Sequence, residues 1–84
     1  MNYTVTILRR AQRELARLPN EDYERVRDAI RGLAEVPRPQ GCLRLTGRHG
    51  WRIRVGGYRV IYEIDDGPQT VTILHVGHRR DVYR

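Results

Sequence analysis

The residues best suited to chemistry in this 84-residue chain are its arginines, sixteen in number and unaccompanied by any lysine. Arginine keeps its charge at physiological pH, and its planar fork matches the geometry of phosphate and carboxylate. A group of arginines binds and stabilises an anion but supplies no neutral base. Only the histidines, His49, His75 and His78, titrate near neutrality without help. They have no companion cysteines and no zinc-type spacing, so neither a metal site nor a cofactor is expected. Cys42 follows Gly41 with no paired histidine pattern and reads as a small, partly buried residue.

The arginines gain meaning from the hairpin that carries them. Gly56-Gly57 separates two β-rich runs, Trp51 to Val55 and Tyr58 to Asp65. No helix follows the glycines, so they read as a two-residue hairpin loop rather than a phosphate loop. Such a loop sets Val55 opposite Tyr58, Arg54 opposite Arg59, Ile53 opposite Val60 and Arg52 opposite Ile61. Opposed residues share a face, and faces alternate along each strand. Trp51, Ile53, Val55, Tyr58, Val60 and Tyr62 thus form an apolar face. Arg52, Arg54, Arg59, Ile61 and Glu63 form the other. Like charges directly opposite repel by a few tenths to about 1 kcal/mol, a penalty that a bound anion removes. The competing reading is a solvated strand face with Glu63 as partial counterion.

The other elements must hold this hairpin. Tyr3 to Leu8 alternates and predicts a strand. Ala11, Leu15 and Leu18 share one face of a helix from Arg9 to about Leu18. Pro19-Asn20 ends it, with Asn20 expected to cap a second helix whose apolar face is Tyr23, Val26, Ile30 and Leu33. Its opposite face offers Glu21–Arg25 and Asp28–Arg31 pairs. Pro37 to Gly41 is a loop. Leu43 to Leu45 predicts a short strand, Arg48-His49-Gly50 a turn, and Thr70 to Val76 the last strand. The order β-α-α-β-β-β-β predicts an α+β fold, with two N-terminal helices packed on one face of a small, mostly antiparallel sheet. Residues 1–84 read as a single domain.

Composition narrows the partners. The net charge is +6, with a mean hydropathy of −0.66. Residues 1–35 hold seven Arg and six acidic residues, residues 36–84 nine and four. The excess in the second half fits a polyanion, nucleic acid foremost, although a merely solvating surface accounts for it too. Apolar runs are too short for a membrane span, and no signal segment opens the chain. The lone cysteine excludes an internal disulfide and fits a reducing compartment, so a cytoplasmic home is expected.

The run Trp51-Arg-Ile-Arg-Val-Gly-Gly-Tyr-Arg-Val-Ile-Tyr-Glu-Ile-Asp-Asp66, followed by Val76-Gly-His-Arg-Arg-Asp-Val-Tyr83, resembles the RelE toxins of the RelE/ParE superfamily. Ala11-x-x-Glu14-Leu15-x-x-Leu18-Pro19 and Pro37-x-Pro39-x-Gly41 are similar to it as well. The resemblance spans nearly the whole chain. It implies the toxin of a type II toxin–antitoxin pair that cleaves messenger RNA in the ribosomal A site without a metal. The implied partners are a cognate antitoxin, the ribosome and its mRNA, with operator DNA bound through the antitoxin.

Carried onto this chain, the resemblance gives Arg59 and Arg79 the phosphate. Arg52 and Arg54 position RNA and add positive potential, with Arg80 a further RNA contact. Tyr83 orients a base or assists proton transfer. The implied reaction is attack of a 2′-OH on the adjacent phosphate, leaving a cyclic phosphate and releasing a 5′-OH. Where relatives place lysine this chain has Arg54, so His78 is the replacement base and Glu63 the backup. Two alternatives remain: a ParE-like inhibitor of DNA gyrase, and a catalytically weak homologue acting with its antitoxin as a nucleic-acid-binding co-repressor.

Overall fold

The apolar alternation of the central strands decides which side of the sheet the helices cover. A computed structural model describes residues 2–78. In chain order the elements are β1 (Thr4–Ile7), α1 (Arg9–Ala16), α2 (Asn20–Gly32), β2 (Leu43–Arg44), β3 (Trp51–Val55), β4 (Tyr58–Asp65) and β5 (Thr70–His78). They form one sheet in the order β1-β5-β4-β3-β2. Its pairs are antiparallel except β1 with β5, whose strands run parallel with Thr4 beside Thr70. Both helices pack on one face, as the sequence order predicts. Among the described residues no helix is long and apolar enough to cross a membrane.

The core lies between the helices and that face. Ala11 and Leu15 of α1, with Val26, Ile30 and Leu33 from α2 and its end, meet Ile53, Val60, Tyr62, Val71, Ile73 and Val76. Tyr62 is the largest fully buried side chain. Its hydroxyl donates to the Pro37 carbonyl at 2.8 Å, which ties the proline loop to the core. Burial holds this phenol well above its ordinary pKa.

Several local expectations shift. α2 begins at Asn20 itself, so the cap position falls to Pro19, whose carbonyl accepts the Tyr23 N–H at 2.8 Å. No side-chain cap bond forms there. α1 stops at Ala16, because Pro19 disfavours helical geometry at Leu18 and the last turn tightens into a Leu18 N–H to Leu15 carbonyl bond. Neither Glu21–Arg25 nor Asp28–Arg31 closes; Asp28 pairs with Arg27 instead. β5 continues past Val76 to His78, since Tyr58 and Arg59 at the start of β4 provide partners for His78 and Gly77.

A bulge in β5 explains how its apolar residues change parity. Tyr62 pairs with Ile73 but Ile61 with His75, leaving Leu74 as the extra residue. Val71 and Ile73 before the bulge, and Val76 after it, thereby all face the core. Beyond Ile7, β1 no longer covers the edge of β5. There the Glu14 carboxylate of α1 accepts the Val76 N–H at 2.9 Å and the His75 Nδ1–H at 2.7 Å. A helix side chain thus substitutes for the missing strand. Replacing Glu14 with Ala leaves a part-buried N–H unsatisfied, a loss of about 1–3 kcal/mol. Thermal denaturation is expected to show a drop of about 4–8 °C for each kcal/mol; an unchanged Tm would contradict this account of the edge.

At the opposite end of the sheet, Arg38 pairs with Asp66 at 2.8 Å and the Tyr3 hydroxyl donates to the same carboxylate at 2.6 Å. Arg38, then Tyr3, holds Asp66 below the usual carboxylate range. A carboxyl whose folded pKa is depressed contributes stability above its unfolded value of about 3.9, and that contribution disappears as pH falls through the folded value. The Tm of the native chain is therefore expected to fall more steeply than that of Asp66→Asn on acidification below about pH 4. Parallel acid limbs would show that the contact carries no linkage.

Candidate functional site

The hairpin register is the one the two-residue loop dictates: Val55 with Tyr58, Arg54 with Arg59, Ile53 with Val60, Arg52 with Ile61. Gly56 adopts φ +60°, a conformation that favours glycine at this turn. On the face away from the helices, Arg52 and Arg59 enter a cleft of about 470 Å³. Arg44 from β2 and Arg48 from the following turn line the same cleft, with Leu43, Leu45 and Thr46. Four arginines thus line one recess, and none of the described residues lining it is acidic.

Each arginine is held by a different piece of backbone. The paired strands β3 and β4 fix Arg52 and Arg59. The Nε of Arg59 is inaccessible to solvent, and its neighbour across β5 is Gly77, which brings no side chain into the space beside it. Arg44 has its guanidinium 5.7 Å from the Trp51 ring, with Arg38 also 5.2 Å from that ring. Arg48 rides on a turn that depends on Gly50. There φ is +131°, and an added Cβ would lie 3.0 Å from Leu45 Cδ1 and 3.2 Å from the Tyr62 carbonyl oxygen. Beneath the arginines Ile61 is only 3% exposed although it faces away from the helices. Its cross-strand neighbours on that face are Arg52 and His75.

The structure brings together part of the set predicted from sequence. Arg52 and Arg59 meet. Arg54 is opposite Arg59 but lines a separate groove with Ala29, Gly32, Leu33, Ile53 and Val55. His78 is exposed and pairs with Tyr58, against which its ring packs edge-on at 5.8 Å. Tyr58 in turn donates to Asp22 of α2, so this pair sits on the helix side of the sheet, away from the cleft. Arg79, Arg80 and Tyr83 lie outside the described residues. Arg44 and Arg48 were not singled out from the sequence. Arg44 had a weak signal as the basic residue of a short strand, whereas Arg48 in a glycine-flanked turn had none.

Such a cleft is suited to binding a phosphate-like anion and stabilising negative charge that grows on it. Among the described residues that line it, none is a histidine, a cysteine or a carboxylate. Among the described residues no three His, Cys, Asp or Glu side chains gather as a metal site would require. Inorganic phosphate is expected to raise the Tm of the wild-type chain relative to chloride at equal ionic strength, with that gain reduced in Arg52→Gln and Arg59→Gln. Equal gains in all three proteins would place the anion elsewhere.

Comparison with known proteins identifies relatives of the sequence and the fold. The family model described as the ParE toxin of type II toxin–antitoxin system, parDE, matches residues 5–83. Toxin RelG of Mycobacterium tuberculosis is 40% identical over 86 aligned positions, covering 100% of this chain and 99% of that protein. Toxin RelE of the same organism is also 40% identical, covering 98% and 87% respectively. Among solved structures, the toxin–antitoxin complex RelBE2 from M. tuberculosis matches with a TM-score of 0.82 at 34% identity, over 94% of this chain and 100% of that one. The archaeal RelE–RelB complex from Pyrococcus horikoshii matches with a TM-score of 0.84 at 28% identity, over 98% and 100%. A family model spanning almost the whole sequence, a shared fold and relatives at 40% identity lead to one conclusion: the chain belongs to the RelE/ParE family of type II toxin–antitoxin toxins.

Proposed function

We propose that this toxin is a metal-independent endoribonuclease that cleaves messenger RNA in the ribosomal A site. The observation that carries the reading is the arginine cleft, where Arg44, Arg48, Arg52 and Arg59 converge without a lining carboxylate among the described residues. In the proposed step an RNA 2′-oxygen attacks the adjacent phosphorus while the bond to the 5′-oxygen breaks. The products are a 2′,3′-cyclic phosphate and a 5′-OH. Arg59, with Arg79, stabilises the charge on the phosphorane-like transition state. Arg52 and Arg80 hold the backbone, and Arg54 adds positive potential from the neighbouring groove.

Proton transfer requires a group other than these arginines. His78 is the proposed acceptor of the 2′-OH proton, which requires the substrate to cross the end of β5 to reach it. Tyr83 is assigned to orienting a base or delivering a proton to the leaving oxygen. Dependence on the ribosome follows from the same scarcity: a site rich in positive charge and poor in bases gains most when ribosomal RNA orients the substrate.

The proposed partners are a cognate antitoxin, the ribosome and mRNA, with operator DNA engaged through the antitoxin, in the cytoplasm. Residues 1–84 act as one toxin domain. Support for the antitoxin comes from relatives solved as RelB complexes and from a groove of about 390 Å³ between α2 and β3, lined by Ala29, Leu33, Ile53 and Val55. It runs beside the part of β3 that β2 leaves unpaired, as an added peptide segment requires.

Primer extension on a defined message in a translating cell-free system tests the reading. Cuts are expected to require translation and to weaken about 100-fold in Arg59→Ala, the scale of losing one transition-state donor. Intact message together with inhibited DNA supercoiling would instead support gyrase poisoning, a reading that the ParE description of the matching family model keeps in view.

A further inference from the structure

Arg44 lines both the arginine cleft and a second recess of different chemistry. This recess has a volume of about 480 Å³, and Arg44, His49, Trp51, Glu63, Thr70 and Thr72 contribute to its walls. It exists because the strands differ in length. β3 begins at Trp51, whose partner is Tyr62, so β4 continues from Glu63 without β3 beside it. Glu63 and its cross-strand partner Thr72 present their side chains on the same face as Arg59.

The chemistry changes from one recess to the next. The cleft offers guanidinium donors and positive charge, which suits a phosphate. The second recess adds acceptors: the Glu63 carboxylate, the threonine hydroxyls and the Asp65 carboxylate, which already accepts the Gly67 N–H. Glu63 takes part in no ion pair among the described residues, although arginines lie nearby. Around the free end of β3 the same recess reaches the Trp51 indole, on the helix side of the sheet, with the Arg38 and Arg44 guanidiniums 5.2 and 5.7 Å from the ring, which gives it a wall of planar groups. Planar walls with hydrogen-bonding groups at their rim are how proteins hold splayed, single-stranded bases. Arg59 and Glu63 are four residues apart on β4, roughly 13 Å at strand rise, so one short RNA segment reaches both.

We infer that this recess is a base-reading subsite next to the phosphate cleft. The inference rests on the RNA reading proposed above and adds to it the class of base preferred. A carboxylate only accepts hydrogen bonds, so Glu63 favours a base edge that donates from an exocyclic amino group. Cytosine and adenine present that amino group, whereas uracil presents a carbonyl in its place. Glu63 acts as a specificity-determining residue, with Thr72 holding the adjoining edge, and neither takes part in bond breaking.

The test is equilibrium binding of short oligocytidylate and oligouridylate to the full chain at low salt, by fluorescence anisotropy, for the wild type, Glu63→Gln and Thr72→Val. The two ligands share a backbone and differ on the base edge in question. The wild type is expected to prefer oligocytidylate about tenfold, the scale of one good base-edge contact. Glu63→Gln, whose amide both donates and accepts, is expected to bring the ratio near one while oligouridylate affinity stays level or rises. Thr72→Val, which keeps the β-branched shape, is expected to lower the ratio without changing the melting profile. Equal binding of both oligomers by the wild type, a ratio unchanged in Glu63→Gln, or binding of neither overturns the inference. Discrimination that depends on Glu63, in a protein that leaves messages intact during translation, would remove the nuclease reading and keep the subsite.

Discussion

Two glycines leave β3 and β4 one register, and the functional face takes its order from that constraint. With Val55 fixed opposite Tyr58, the apolar residues of both strands are turned toward the helices and the arginines away from them. A slip of one residue would put Arg52 and Arg54 into the core and Ile53 into water. Neither is tolerable, so the burial that stabilises the fold also enforces the charge arrangement on its outer face. Arg54 and Arg59 face each other because Ile53 and Val60, one step further along, must be buried.

Much of this was legible because it depends on short-range rules. Alternation located β3 and β4 to the residue, and the helical period separated α1 from α2. What escaped had no periodic signature. The bulge at Leu74 is visible only when β5 is laid against β4, because parity changes within a run that is β-rich throughout. The placement of α1 against the end of β5 depends on Glu14, which reads as one more charged residue of an amphipathic helix until the strand edge beside it is known. Arg48 reaches the cleft through a turn whose path is set by glycine geometry and close packing at Gly50, not by any sequence pattern. Arg54 shows the converse. Its face was correctly inferred, but β2 pairs only with Trp51 and Arg52, so at Arg54 the strand is an edge that borders the neighbouring groove.

The division of charge along the chain corresponds to a division of labour. The helical half carries nearly balanced charges and supplies apolar surface. The sheet half gathers arginines where no helix covers them. Because arginine does not shed its proton, the positive potential of the cleft persists across the physiological pH range. A lysine-rich site could instead lower its pKa values and relieve the crowding by losing charge. Here the field is permanent, and relief comes from an anion or from counterions.

The parallel pairing of the first strand with the last also bears on the life of the newly made chain. β5 lies inside the sheet, between β1 and β4, yet of the described strands it is the last to be synthesised. Until it emerges, β1 has no partner and α1 has no strand edge to close. The N-terminal third of the protein must then wait for the C-terminal third, a non-local arrangement that slows folding. An mRNA fragment truncated before Thr70 would yield a chain with its hairpin arginines but no assembled sheet to hold them. Emergence of β5 is therefore built into the fold as the condition for assembling the sheet that holds its charged face.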